Sequence, residues 1–283
     1  MSLLVNIVPM QEAQLKKVLK EIKSGKRTWE EESEEIIVKS MITHIGSTDG
    51  ELRDQLIYSS FYQLIIEKNQ LEHELLNELL DLCLSELLLK GIGENGTDTV
   101  FTRSFTSLLI ALILYRDNRD NFLSQEMVYQ IKDKLIDYIN LEKDLRGFVS
   151  LKGWAHSIAH VADAFDELVK SPKIKQKLYL EILKPLWNKV FVSDNAYDHD
   201  EVERILQPIL VMLNNGLDPK KIEALIQSIP QVLKIQKEKI DEEKFGFLLA
   251  NCKSFLKSFF IKIHENPNLL SIQKCIKKCL DEI

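Results

Sequence analysis

The sequence predicts an all-α protein, about twelve helices in antiparallel pairs that stack as a HEAT- or armadillo-like α-solenoid. Three observations carry this. Apolar residues recur at steps of three and four through almost all of the 283 residues, the period of a helix with one buried face. Glycine and proline number only 10 and 7, about half the usual ~7% and ~5%, so the tight turns of a sandwich or barrel are missing. The connections between periodic stretches are short, which sets neighbouring helices antiparallel.

The helices are expected in order at 11–23, 29–44, 51–68, 71–89, 98–115, 124–139, 153–170, 172–191, 201–214, 219–234, 242–264 and 270–280. Ser171-Pro172 and Asp218-Pro219 each place a capping oxygen before a proline at a first helical position, where the missing N–H costs nothing. Pro185, Pro208 and Pro230 fall inside three of the helices and mark a kink or an early stop. Glycine-bearing stretches at 46–50, 91–96 and 214–216 break the chain. No run alternates with period two for long enough to be a strand. No sequence repeat of about 40 residues is visible, so the repeat is expected to be structural. No low-complexity linker divides the chain. A single domain over 1–283 is expected, with a lobe junction near 139–153 as the alternative.

Thirty-seven basic and 43 acidic residues give a net charge of -6, which argues against a nucleic-acid binder. The longest apolar run, 108–115, falls far short of a membrane span of ~20 residues, and the first ten residues lack a basic leader region. Cys83, Cys252, Cys275 and Cys279 form no C-x-x-C pair and suit buried thiols in a reducing cytoplasm. A cytoplasmic protein, without membrane or nucleic-acid partners, is expected. Gly91-Ile-Gly93-Glu-Asn-Gly96 is a literal G-x-G-x-x-G, but an amphipathic helix precedes it where a dinucleotide fold needs a strand. It is expected to be a helix-to-helix loop.

The most unusual segment is 144–166. On a helical projection Trp154, Ile158, Val161 and Phe165 share an apolar face, while His156, His160, Asp163 and Glu167 cluster on the opposite one. Imidazoles at i and i+4 with a carboxylate at i+7 suit a divalent metal held by His156, His160 and Asp163. Alternatively, a histidine beside a carboxylate suits a general base, or the stripe is a plain polar face. The zincin motif is excluded, because Ser157 stands where its glutamate would be. Arg146, Lys152 and Trp154, on a glycine-hinged loop before the helix, suit an anion at the helix N-terminus.

The run from Arg146 to Asp163, R-G-x-x-x-x-K-G-W-A-H-x-x-A-H-x-A-D, resembles the signature of an uncharacterised bacterial family, domain-of-unknown-function family 2785, found largely in Firmicutes. Residues 52–58, with Arg53 and Tyr58, are similar to its L-R-D-x-L-x-Y element, and residues 101–105, with Arg103 and Ser104, to its F-x-R-S-F element. Glu201 and Arg204 match its E-D-x-R-L element, from which Val202 and Ile205 depart. By these elements the resemblance extends over most of the chain. It implies an all-helical, HEAT-like protein and nothing about activity.

Two functions remain open. In the first, Arg53, Arg103, His156, His160, Asp163 and Arg204 converge on one polar groove of a binding module for a peptide, a protein or an anionic small molecule. In the second, a hydrolase-like metal-assisted or acid–base enzyme uses His156, His160 and Asp163, with Arg103 and Arg146 orienting an anion. Set against both is a structural role, in which each arginine locks its own helix pair by an ion pair.

Overall fold

The computed structural model describes residue 4 and residues 6–283. It is all-helical, with twelve α-helices among the described residues. The chain divides into two compact units, Met1–Lys173 and Ile174–Ile283. The segment 139–153 lies inside the first unit.

The first unit holds α1 (Glu12–Lys23), α2 (Glu34–Thr43), α3 (Ser59–Tyr62), α4 (His73–Leu82), α5 (Thr99–Asp120), α6 (Gln125–Leu141) and α7 (Ser157–Lys170). Helix α3 is one turn inside a longer helical run, flanked by the π-helical stretches Glu51–Tyr58 and Gln63–Glu67. A third π-helical stretch, Cys83–Leu87, extends α4. Helix α5 is buried on almost every side from Val100 to Leu114, the mark of a core helix, and packs most extensively against α7. By composition α5 is long and apolar enough to cross a bilayer, but 83% of its apolar window is buried within the protein. Burying each Leu, Ile or Phe of this kind contributes about 1.5–3 kcal/mol. Ser33 and Ser124 cap α2 and α6 by accepting the backbone N–H three residues on.

The second unit holds α8 (Tyr179–Asn188), α9 (Glu201–Asn214), α10 (Pro219–Lys237), α11 (Glu242–Ile263) and α12 (Leu270–Glu282). Helices α10 and α12 pair, as do α9 and α11. Trp187, Phe255 and Phe259 stack edge to face in its core, at 5.3 and 5.9 Å between ring centroids. Asp218 caps α10 ahead of Pro219 as expected, accepting from Lys220 N at 3.0 Å.

Helices α9 and α10 run through Pro208 and Pro230, so of the kink and the early stop expected there the early stop does not occur. Other expectations need correction. Ser171-Pro172 does not start a helix: Ser171 ends α7, and α8 begins only at Tyr179, after a short 3-10 turn. The helix expected from Gly153 starts at Ser157 instead. The four residues ahead of it belong to a small antiparallel hairpin, β1 (Phe148–Val149) and β2 (Gly153–Trp154), with Phe148 opposite Trp154. Strands of two residues are too short to show an alternation in sequence. The 91–96 stretch is a helix-to-helix loop, as expected, leading into α5.

Candidate ligand-binding groove

The hairpin is seated on the helical run 51–67 through two glycines. A Cβ on Gly50 would lie 2.9 Å from the Lys152 carbonyl oxygen, and one on Gly153 would lie 3.0 Å from both Arg53 and Asp54. Gly153 also has φ +81°, which disfavours any side chain. Arg53 makes the tie. Its guanidinium donates to the carbonyls of Ser47, Lys152 (2.6 Å) and Trp154 (3.1 Å), pairs with Asp54 at 2.9 Å, and stacks over Phe101 and Phe105 at 4.1 and 4.9 Å. Its side chain is fully buried. Burial pushes the Arg53 guanidinium down and the Asp54 carboxyl up, in each case against the pull of the other.

Three other cations of the sequence motifs, Arg103, Arg146 and Lys152, are also held by carboxylates of the same unit. Arg103 forks onto Glu142, with Nη2 2.9 Å from Oε1 and both side chains fully buried. Burial works against the Arg103 charge, but the hydrogen bond and charge of Glu142 outweigh it and raise the guanidinium further. Arg146 grips buried Asp144 at 2.8 and 2.6 Å, and Asp144 also accepts Gly96 N. Lys152 reaches Asp98 at 2.7 Å. Ser104 is buried within α5 and donates to the Phe101 carbonyl. Arg103 and Ser104, expected among ligand contacts, are both fully buried.

His156 is not inside the helix. It caps α7 in the left-handed region, φ 46° and ψ 39°, a conformation that costs a non-glycine residue of order 1–3 kcal/mol. The hairpin holds it there: Ala155 N and His156 N donate to the carbonyls of Gly147 and Arg146, at 2.8 and 3.0 Å. Neither histidine lies on a solvated stripe, since His156 and His160 are 7% and 5% exposed. They sit in a ladder of rings. Phe148 meets Trp154 at 5.0 Å, Trp154 stacks on His156 at 4.4 Å, and His156 meets His160 edge to face at 5.6 Å. His160 then meets Phe105 at 5.0 Å, and Phe105 meets Tyr58 at 6.4 Å.

Tyr58 ends the ladder at an open groove of about 260 Å³. Tyr58, Tyr62 and Ile66 form one wall, Leu108, Ala111, Leu112 and Tyr115 of α5 a second, and Asp163, Asp166 and Glu167 of α7 the third. No Lys or Arg lines it. Tyr62 and Tyr115 are 43% and 40% exposed. Asp166 and Glu167 share Lys170, at 2.7 Å each. Asp166 Oδ1 is buried and has no hydrogen-bond partner among the described residues.

Of the expected site residues, Arg53, Tyr58, Trp154, His156 and His160 are brought together by the rings, with Lys152 alongside through its carbonyl, and Asp163 joins at the groove. Tyr62, Tyr115 and Asp166 were not expected. Their signal is periodic: Tyr58, Tyr62 and Ile66 repeat at four, and Leu108, Leu112 and Tyr115 lie on one face of α5. Glu201 and Arg204 belong to the second unit. Glu201 is buried at the start of α9 and accepts His199 N at 2.9 Å, and Arg204 follows one turn later.

The family of proteins of unknown function DUF2785 matches residues 88–261, more than half of the 283 residues. This chain belongs to the DUF2785 family. The DUF2785 match takes in Arg103, the hairpin, both histidines, Glu201 and Arg204, and two walls of the groove. It starts after the 52–58 stretch, so it spans less of the chain than the motif resemblance suggested and leaves out Arg53 and Tyr58. No curated protein matches the chain, and no solved structure does.

Proposed function

We propose that this DUF2785 protein is a binding module of HEAT-like helical pairs whose ligand site is the groove ending at Tyr58. One observation carries the proposal: three tyrosines and three carboxylates converge on an apolar floor, at the end of a ring ladder that a strained backbone holds in place. Rigid aromatic walls give contact area at a small entropy cost, as binding surfaces do. Among the expected ligands a peptide or protein is favoured over an anionic small molecule, because Arg103, Arg146 and Lys152 already hold Glu142, Asp144 and Asp98. A cytoplasmic setting fits four free thiols, three of them buried.

The test is fluorine NMR of protein carrying 3-fluorotyrosine, titrated with pools of random peptides. Binding in the groove shifts the signals of Tyr58, Tyr62 and Tyr115, assigned through their phenylalanine variants. If no pool moves any of the three, the proposal fails.

A second function, metal-assisted or acid–base chemistry at His156, His160 and Asp163, rests on the imidazole pair, whose rings lie 5.6 Å apart in largely buried surroundings. Metal analysis of protein purified without chelator tests the metal form: stoichiometric zinc or manganese lost in a His160→Ala variant supports it, and substoichiometric metal dismisses it.

A further inference from the structure

We infer that a second pocket of the first unit binds a neutral, multiply hydroxylated small molecule, a mono- or disaccharide. The pocket lies between α1 and the helical run 51–67, with Trp29 beside them, and holds about 380 Å³. Tyr62 is shared with the groove, whereas Trp29, Ser59 and Ser60 are not. A ligand in one site is therefore told from a ligand in the other.

Unmatched polar atoms give the chemistry. Trp29 is buried, and its indole N–H donates to Gln63 Oε1 at 3.1 Å. This orients the Gln63 amide, whose NH2 bonds to nothing among the described residues. Ser60 lines the pocket and is only 8% exposed. A serine inside a helix can donate back to a carbonyl of the preceding turn, as Ser85 and Ser107 do. The hydroxyls of Ser59 and Ser60 bond to nothing among the described residues. The Ser60 oxygen keeps accessible surface, so a ligand reaches it. A ligand hydroxyl both donates and accepts, and it pairs with a serine hydroxyl, an amide or a carboxylate alike. Gln55 and Leu56, and Gln63 and Glu67, stand in the two π-helical stretches, a distortion frequent at functional sites.

Charge and size set aside the alternatives. Among the described residues, Lys23 and Glu67 are the only charged ones in the lining. Lys23 already donates to the Gln55 carbonyl at 3.2 Å. A phosphate or carboxylate ligand would meet one lysine and one glutamate, which gives no net attraction. An α-amino acid would need both at once, but Glu67 follows Gln55 by twelve residues on one helical run, on the order of 15 Å. An apolar ligand would strip water from two hydroxyls and an amide without replacing it. A sugar meets each of these groups, with hydroxyls for Ser59, Ser60, Gln63 and Glu67 and a C–H face for the half-exposed Tyr62 ring. The volume falls within the ~300–1,000 Å³ of small-molecule pockets.

The experiment records fluorine NMR of the full chain carrying 5-fluorotryptophan. Trp29, Trp154 and Trp187 give its three signals, assigned through phenylalanine variants. The probes are glucose, galactose, mannose, N-acetylglucosamine, ribose, sucrose, maltose and cellobiose, with glucose 6-phosphate and leucine as charged and zwitterionic controls. At least one neutral sugar is expected to shift the Trp29 signal saturably, to leave Trp154 and Trp187 in place, and to bind equally well in raised salt. Ser60→Ala removes the hydroxyl and favours the helix, and Glu67→Gln keeps the shape and loses the charge. Each should weaken that sugar about three- to tenfold. Silence of Trp29 to all eight sugars overturns the inference. So does tighter binding of glucose 6-phosphate or leucine, or unchanged binding in Ser60→Ala. A sugar that moves the fluorotyrosine signals of Tyr58 and Tyr115 and not Trp29 belongs to the groove, and overturns it as well.

Discussion

Replacing Arg103 with methionine leaves Glu142 charged and fully enclosed, with its guanidinium partner gone. Removing one member of a buried pair costs ~3–5 kcal/mol, because the survivor keeps its desolvation cost without its counter-charge. Arg103 also donates to Thr99 Oγ1 at 2.8 Å, a bond that spans one turn of α5 and adds little to the total. Against a typical folding stability of ~5–15 kcal/mol the loss is large. At about 2–4 °C per kcal/mol for a unit of this size it lowers Tm by roughly 6–20 °C. Glu142→Leu should cost a similar amount. The double variant R103M/E142L removes both charges and should recover part of the loss. A deficit of ~1–3 kcal/mol should remain, because Asp144 N loses Glu142 Oε1 as its acceptor. Urea unfolding followed by far-UV circular dichroism reads all three. A change within about 0.5 kcal/mol for R103M would refute the ion-pair lock and return Arg103 to the set of residues free for a ligand.

Leu151 sits at the hairpin tip with φ 64° and its side chain 98% exposed. A left-handed residue other than glycine costs ~1–2 kcal/mol, so Leu151→Gly should raise stability by about 0.5–1 kcal/mol after the added chain entropy, and a loss in urea unfolding would contradict this. Gly153→Ala should lower stability by about 1–3 kcal/mol, since it combines φ +81° with contacts at 3.0 Å to Arg53 and Asp54; thermal melts check it. The hydrogen bonds of His73 and then Arg116 hold the Asp120 carboxyl below its ordinary value. A depressed carboxylate stabilises the fold above its unfolded pKa of ~3.9 and loses that contribution as pH falls through the lower folded value. Asp120→Asn should therefore flatten the fall in stability below about pH 4, and an unchanged slope would count against the pairing. Burial pushes the Cys252 and Cys279 thiols up to about 12 and about 11, so they should react with a disulfide reagent near neutral pH far more slowly in the native protein than in urea.

The helices were legible because their cause is local: an apolar period and scarce glycine and proline act within one turn. Most expected boundaries fall within a few residues of the observed ones, α9 among them. The hairpin was not legible, because what makes it is long-range. Arg53 reaches across 99 residues to the Lys152 carbonyl, and Gly50 and Gly153 permit that approach. The same contact decides why helical phasing misplaced His156. Extending α7 back to Gly153 puts both histidines on a polar stripe, whereas a left-handed cap on His156 turns its ring onto Trp154. The carboxylate partners of Arg103 and Lys152 lie 39 and 54 residues away, so sequence proximity gave no sign of them. The groove is half visible in the sequence. Tyr58 and Asp163 stand in the motifs, while Tyr62 and Tyr115 lie outside them and come to the groove only where the faces of three elements meet.

The most direct test of ligand docking in the tyrosine groove is selection from a random peptide library on immobilised protein, with a Tyr62→Ala/Tyr115→Ala variant selected in parallel. Both tyrosines are partly exposed, so the variant is expected to fold. The groove predicts enrichment of a peptide consensus, and loss of that enrichment on the variant. No enrichment, or the same enrichment on both proteins, would contradict it.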